Sequence, residues 1–215
     1  MIASVLVLAL LGNVLAFVPR LINIPAIEFV QTSRELSQNA EIQKYTESVV
    51  VVRGGDSKGT GFLFSDEGYI MTNEHVVRNE RYVSVSFEDG GRYQAEVVDR
   101  DTEMDIAVLS INLGSERAVL PFTSEWEKGE DVYVIGNPLF FNFIANVGHL
   151  LGERNDGILM LDAPIYRGNS GSPAINKSGE VVGVVYATTR IDHNGDSKRV
   201  GLIVPTDTFI DTYVN

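Results

Sequence analysis

The chain has 215 residues, 44% of them hydrophobic, which suits one domain or two small subdomains sharing an interface. Its 17 Lys and Arg stand against 29 Asp and Glu, a net charge of −12. That balance argues against wrapping nucleic acid, which wants a basic face, and against charge-driven adhesion to anionic lipid. With no cysteine there is no disulfide, no thiolate nucleophile and no cysteine-ligated zinc. Any chemistry that needs an imidazole must choose among His75, His149 and His193.

The first 19 residues carry no charged side chain, and the apolar run from Ile2 to Val18 is about one membrane thickness of helix. Two readings are expected for residues 1–18. One is a secretory signal with Val14-Leu15-Ala16 at its cleavage site. The other is an uncleaved anchor ended by Pro19-Arg20, a hydrophobic N-terminal helix that would meet the membrane. Localisation is accordingly membrane-anchored or secreted, including periplasmic. Residues 19–46 are mixed and polar, with a short helix expected over Ser33 to Tyr45, and read as a stalk or linker.

From Ser48 the texture changes. Val49 to Val52 is a β-branched run, turned by Gly54-Gly55-Asp56. Gly61–Phe64, Tyr69–Thr72, Tyr82–Phe87, Arg92–Val98 and Ile106–Ile111 follow as strands. Ser84, Ser86 and Gln94 alternate with apolar neighbours, as half-buried strands require. After a connector over Leu113 to Lys128, the texture repeats in Val132–Ile135, Ile144–Leu151, Ile158–Leu161, Val181–Thr189 and Arg199–Val204. Short strands at this spacing predict an all-β fold of two barrels. The first spans about 47–118 and the second about 119–205, with a closing helix over 206–214. Asn194-Gly195 is a hairpin signal, and Asp192-His193-Asn194-Gly195-Asp196 lacks the glycine placement of a calcium loop. No metal or other cofactor is expected.

Three stretches carry chemistry. Met71-Thr72-Asn73-Glu74-His75-Val76-Val77 follows a strand, Asp105-Ile106-Ala107-Val108-Leu109 opens one, and Arg167-Gly168-Asn169-Ser170-Gly171-Ser172-Pro173 turns into one. Serine is a poor nucleophile at neutral pH and needs a base to take its proton. A histidine suits that task, and a buried carboxylate fixes its tautomer. Asp99 and Asp101 are alternatives to Asp105. The glycines of the serine turn let the amides of Gly168 and Ser170 converge where an oxyanion would develop. An α/β-hydrolase would need the order Ser, Asp, His, and the only histidine after Ser170 directly follows Asp192.

These stretches, with Gly59-Thr60-Gly61-Phe62, resemble the trypsin-like serine proteases. Gly136-Asn137-Pro138 and Gly201-Leu202-Ile203-Val204-Pro205 add a likeness to their HtrA (Deg) branch. The likeness covers roughly Ser48 to Tyr213. It implies a chymotrypsin-like double β-barrel and a serine endopeptidase. By position it implies His75 as general base, Asp105 as its orienter, Ser170 as nucleophile, and an oxyanion hole of Gly168 and Ser170. It also implies a side-chain pocket walled by Pro164, Ile165, Tyr166, Tyr186, Ala187 and Thr188, near Gly201. Where a preference for Lys or Arg would place an Asp, six residues before the serine, this chain has Pro164. An apolar P1 residue of small to medium size is therefore expected.

The chain departs from the family in three places. Ser172 stands where a glycine is usual, Leu139 to Phe143 is a bulky loop, and with about ten residues following Pro205 no PDZ domain is expected. The branch often forms trimers, so a homo-oligomer is expected by resemblance alone. Polypeptide substrates are the expected partners, with no nucleic acid. Two further classes remain open: a catalytically weak barrel acting as a protein-binding or chaperone module, and a dedicated processing protease with one native target. A histidine base must be neutral, so activity is expected to rise through about pH 6–7. A pH–rate profile flat down to about pH 4 would contradict that base.

Overall fold

A computed structural model of the chain describes residues 24–193 and 195–213. The segment 1–18, expected as signal or anchor, lies outside the described residues. Among those described, no helix is long and apolar enough to cross a membrane.

Twelve antiparallel strands form two closed barrels of six. The first contains β1 (Val49–Gly54), β2 (Ser57–Leu63), β3 (Tyr69–Thr72), β4 (Tyr82–Phe87), β5 (Arg92–Asp101) and β6 (Ile106–Ser110). The second contains β7 (Asp131–Gly136), β8 (Ile144–Glu153), β9 (Leu159–Asp162), β10 (Ser172–Ile175), β11 (Val181–His193) and β12 (Asp196–Pro205). Two barrels are what the spacing of short strands implied, and their chymotrypsin-like form is what the family resemblance implied.

Sequence explains the barrels through side-chain parity. In β4 the residues Val83, Val85 and Phe87 face inward while Tyr82 and Ser84 face out, the period of a strand with one wet face. β1 has no such alternation because both faces are covered. Val50 and Val52 fill the first barrel, while Val49 joins the seam between barrels. β7 repeats the device, with Val132 and Val134 inside the second barrel and Ile135 in the seam. A continuous β-branched run is what a strand buried on both faces needs. Pairing of Val50–Arg53 with β4 closes the first barrel, and pairing of Ala174 and Ile175 with β7 closes the second.

The seam is apolar. Phe62, Met71 and Ile106 from one barrel meet Ile135, Ile175 and Val204 from the other, with Leu120 and Phe209 between them. Phe122, in the connector, is an aromatic hub whose ring lies 5.8 Å from Phe62 and 5.7 Å from Phe209, both edge-on. Such edge-to-face pairs add about 0.5–1.5 kcal/mol beyond burial. The segment after Pro205 is held there. It forms a 3₁₀ turn, Thr206–Thr208, then α4 (Ile210–Tyr213), rather than one continuous helix, with buried Phe209 at the break.

Residues 24–46, expected as a stalk with one short helix, fold into α1 (Ile24–Leu36) and α2 (Ala40–Thr46). The break comes where the Asn39 side chain caps α2 by accepting from the Glu41 amide at 2.8 Å. α1 packs against β8, Phe29 meets the Tyr166 ring edge-on at 5.0 Å, and Ile42 is buried in the seam. The β11–β12 hairpin runs four residues further than its apolar pattern suggested, pairing as far as His193 with Asp196. Its tip is polar, so cross-strand bonds rather than burial carry it.

The barrels are also joined by one buried amide. Asn137, just after β7, donates from Nδ2 to the Val50 carbonyl at 2.9 Å and accepts the Phe143 amide at 3.0 Å. Asn137→Leu takes this partner from the buried Val50 carbonyl and the half-buried Phe143 amide, so it is expected to cost about 2–4 kcal/mol. Denaturant unfolding measures this, and an unchanged midpoint would contradict it.

Candidate active site

The three chemistry-bearing stretches converge where the barrels meet. His75 sits on α3 (Glu74–Val77), a single turn entered from β3. Its Nδ1 lies 2.7 Å from Asp105 Oδ2, and its backbone amide donates to Asp105 Oδ1 at 3.0 Å. The Asp105 carbonyl accepts from Asn73 Nδ2 at 2.8 Å and from the Glu74 amide at 3.2 Å. Four bonds from one tripeptide therefore hold Asp105, and they hold it at φ 56°, in the left-handed region. That conformation costs a non-glycine residue about 1–3 kcal/mol unless its surroundings over-determine it, as they do here. Both carboxylate oxygens consequently face the loop that carries His75.

The alternative carboxylates are engaged elsewhere. Asp101 Oδ1 accepts the amides of Glu103 and Met104, both at 2.8 Å. Asp99 and Asp101 also lie beside Tyr213, and burial with these two charges pushes its phenol up to about 12. His149 pairs with Asp131 on the second barrel, where Lys177 and the imidazole hold that carboxyl below its usual range.

The serine turn is built on close backbone approach. The Gly168 carbonyl accepts from Thr60 Oγ1 at 2.7 Å, and the Ser170 carbonyl accepts the Thr60 amide at 2.8 Å. Thr60 Oγ1 also accepts the Asn137 amide at 3.0 Å, and Thr72 Oγ1 donates to the Thr60 carbonyl at 2.6 Å. Asn169 donates to the Tyr166 carbonyl and Gly171 to that of Val185. Among the described residues, neither the Gly168 nor the Ser170 amide donates to a protein acceptor. The Ser170 hydroxyl bonds to the Tyr186 carbonyl at 3.5 Å, the long limit for such a bond. Ser172, in the usual glycine position, is fully buried with its Oγ lacking a protein partner.

Beside Ser170 opens a cleft of about 180 Å³. Ile165, Tyr166, Tyr186, Ala187 and Thr188 line it. Ile165 packs so closely on Gly201 that a Cβ there would meet Ile165 at 2.9 Å. Pro164 is not in the lining. It is exposed, and its carbonyl accepts from Asn146 Nδ2. Asp162, eight residues before Ser170, is ion-paired with Lys198 at 2.5 Å. Two cations that sequence reasoning did not assign, Arg167 and Arg199, complete the wall. On the other side of Gly168 a second cleft of about 300 Å³ is flanked by Leu139, Phe140 and Lys58. Phe140 there is 97% exposed. Lys58 Nζ donates to the carbonyls of Leu139 and Phe141, which fixes this bulky loop.

Residues 59–184 match the family model described as a trypsin-like peptidase domain. The chain belongs to the trypsin-like peptidase domain family. It is 36% identical over 139 residues to the serine protease HTRA4 of Homo sapiens, a match covering 59% of this chain and 29% of HTRA4. It is 32% identical over 162 residues to a probable periplasmic serine endoprotease, DegP-like, of Chlamydia trachomatis, covering 69% of this chain and 31% of that protein. The crystal structure of a serine endoprotease from Yersinia pestis superimposes with a TM-score of 0.70 at 27% identity, covering 80% of this chain and 63% of that one. The chain thus spans about a third of the length of the curated relatives it matches.

Gly168 and Gly90 both have positive φ, 102° and 89°. A Cβ at Gly168 would lie 2.3 Å from the Asn137 carbonyl oxygen, whereas at Gly90 it would meet nothing within 4 Å. Both Gly→Ala changes strain the backbone, but only Gly168→Ala adds a clash with main chain. Thermal unfolding is expected to show the larger loss for Gly168→Ala, by about 1–3 kcal/mol. Equal losses would show that the turn does not depend on that close approach.

Proposed function

We propose that this chain is a serine endopeptidase that cleaves polypeptides through an acyl-enzyme, with His75, Asp105 and Ser170 as its triad. The observation that carries this reading is the serine turn itself. Its two uncommitted amides flank Ser170 at the same barrel junction as the His75–Asp105 pair. Family membership and the serine protease relatives support the same class.

The steps follow from the residues. The Ser170 hydroxyl turns from the Tyr186 carbonyl to the free ring nitrogen of His75. As Oγ bonds to the scissile carbonyl carbon, its proton passes to His75 Nε2. The carbonyl oxygen becomes an oxyanion, held by the Gly168 and Ser170 amides. Asp105, bonded to Nδ1, stabilises the imidazolium. Collapse breaks the C–N bond, and the leaving amine takes the proton from His75. Water then attacks the ester with His75 as base, releasing the acid and restoring Ser170.

Substrate would enter by adding a strand to β11. That strand pairs with β10 only as far as Val185, so its edge from Tyr186 to Thr188 is open to an extended peptide. The P1 side chain would occupy the cleft over Ile165, which suits small to medium apolar groups. Arg167 and Arg199 in its wall disfavour Lys or Arg there. Residues 1–18 would deliver the domain to a membrane or across it.

The test compares the full chain with Ser170→Ala using a fluorophosphonate probe and unfolded casein. Only the parent is expected to be labelled and to cut casein. Asp105→Asn is expected to lower kcat by about three to four orders of magnitude with little change in KM. A folded parent that takes no label would overturn the reading and favour a protein-binding barrel.

A further inference from the structure

The cleft beside Ser170 carries more positive charge than an apolar pocket needs. Arg199 Nε and Nη2 both donate to Thr188 Oγ1, at 3.1 and 2.9 Å. This fixes the guanidinium on the cleft wall, and among the described residues its remaining N–H groups make no hydrogen bond. No described carboxylate lies within ion-pair distance of Arg199, nor of Arg167 at the other end of the cleft.

The strand register adds a second observation. Arg190 on β11 lies directly opposite Arg199 on β12. Directly opposed residues of an antiparallel pair share a face, and like charges placed so are destabilising. Arg190 is exposed and makes no ion pair among the described residues, Asp192 two positions along the same face being bonded to the Gly195 amide. Thr188 and Arg190 are two residues apart, so they too share that face. The ribbon thus sets two arginines side by side with neither ion-paired among the described residues, in a chain of net charge −12.

Position along the substrate follows from the same register. The Tyr186 carbonyl lies 3.5 Å from Ser170 Oγ, so the P1 residue is alongside Tyr186. Toward Val185 the edge of β11 is occupied by β10. The peptide must therefore run upstream past Ala187 and Thr188, antiparallel to β11. P3 falls opposite Thr188, and directly opposed side chains share a face. That face is the one on which Arg199 is anchored.

We infer that Arg199, held by Thr188, selects polypeptides with an acidic side chain at P3, two residues before the residue whose carbonyl is attacked. The inference rests on the proposed peptidase reading and names its substrate class. It leaves P1 to the apolar floor over Ile165, so specificity combines an aliphatic P1 with an acidic P3. Arg190, paired with Arg199 and two residues beyond Thr188, extends the positive field in the direction the peptide runs.

The test uses the full chain and quenched fluorescent peptides that are identical except for Glu, Ala or Lys at P3, with Val at P1. The Glu peptide is expected to exceed the Ala peptide by about three- to tenfold in kcat/KM, through KM, and the Lys peptide to fall below both. The spread should shrink in 0.5 M salt, about the ionic strength where exposed charges are strongly screened. Arg199→Glu should reverse the order, so that Lys at P3 becomes preferred. The same peptides are titrated by anisotropy against the uncleaving Ser170→Ala chain, where Glu should again bind most tightly. Equal rates and affinities for all three peptides, or an order unchanged by Arg199→Glu, would overturn the inference. A charge-ordered affinity without any Ser170-dependent cleavage would instead retain P3 selection and overturn the peptidase reading.

Discussion

The structure depends on how closely β2 approaches the serine turn. Thr60 meets that turn with its amide and its hydroxyl, while its carbonyl accepts from Thr72 on the neighbouring strand. The same hydroxyl receives the Asn137 amide from the end of β7. One side chain thereby ties the first barrel, the second barrel and the loop that carries Ser170. These bonds are buried, where an unmade partner costs most. The turn's glycines answer to this approach. Gly171 has φ 84°, and a Cβ there would lie 2.0 Å from the Thr60 carbonyl oxygen. A larger residue would push the turn off the strand that defines its shape.

The histidine side of the cleft is organised differently. Its rigidity comes from Asp105, held in an unfavourable backbone conformation by four bonds to Asn73, Glu74 and His75. Strain at one residue is offset by a local network, and the result is a carboxylate aimed at Nδ1. The two halves of the site therefore rest on separate supports, and the apolar seam around Phe62, Phe122 and Phe209 keeps those supports in register. The C-terminal residues belong to that support, since Phe209 closes the seam far along the chain from β2.

The barrels were legible because parity and β-branched runs report burial directly, as Val50, Val52, Val83 and Val85 show. The order of His75, Asp105 and Ser170 was legible because each stands at a strand boundary with its turn residues beside it. The helices over 24–46 were less so. Their docking depends on Phe29 and Ile42 finding Tyr166 and the seam, contacts far apart in sequence. The polar hairpin tip beyond Thr189 also lacked a signal, because backbone pairing rather than apolar periodicity holds it. Pro164 was placed in the cleft by analogy, but its exposed position leaves the floor to Ile165.

By itself the sequence determined the all-β double barrel, the three chemistry-bearing turns and the lack of an acid where a basic P1 would need one. Those are local facts, set by hydrophobic period, glycine placement and residue type. Only the tertiary structure decided that Asp105 and not Asp99 or Asp101 faces His75, since that follows from one left-handed residue and its partners. Only it brought Thr60 and Asn137 under the serine turn. It alone set Arg199 beside Thr188, because the register of a long hairpin with a bulge between Val185 and Ala187 fixes which side chains share a face.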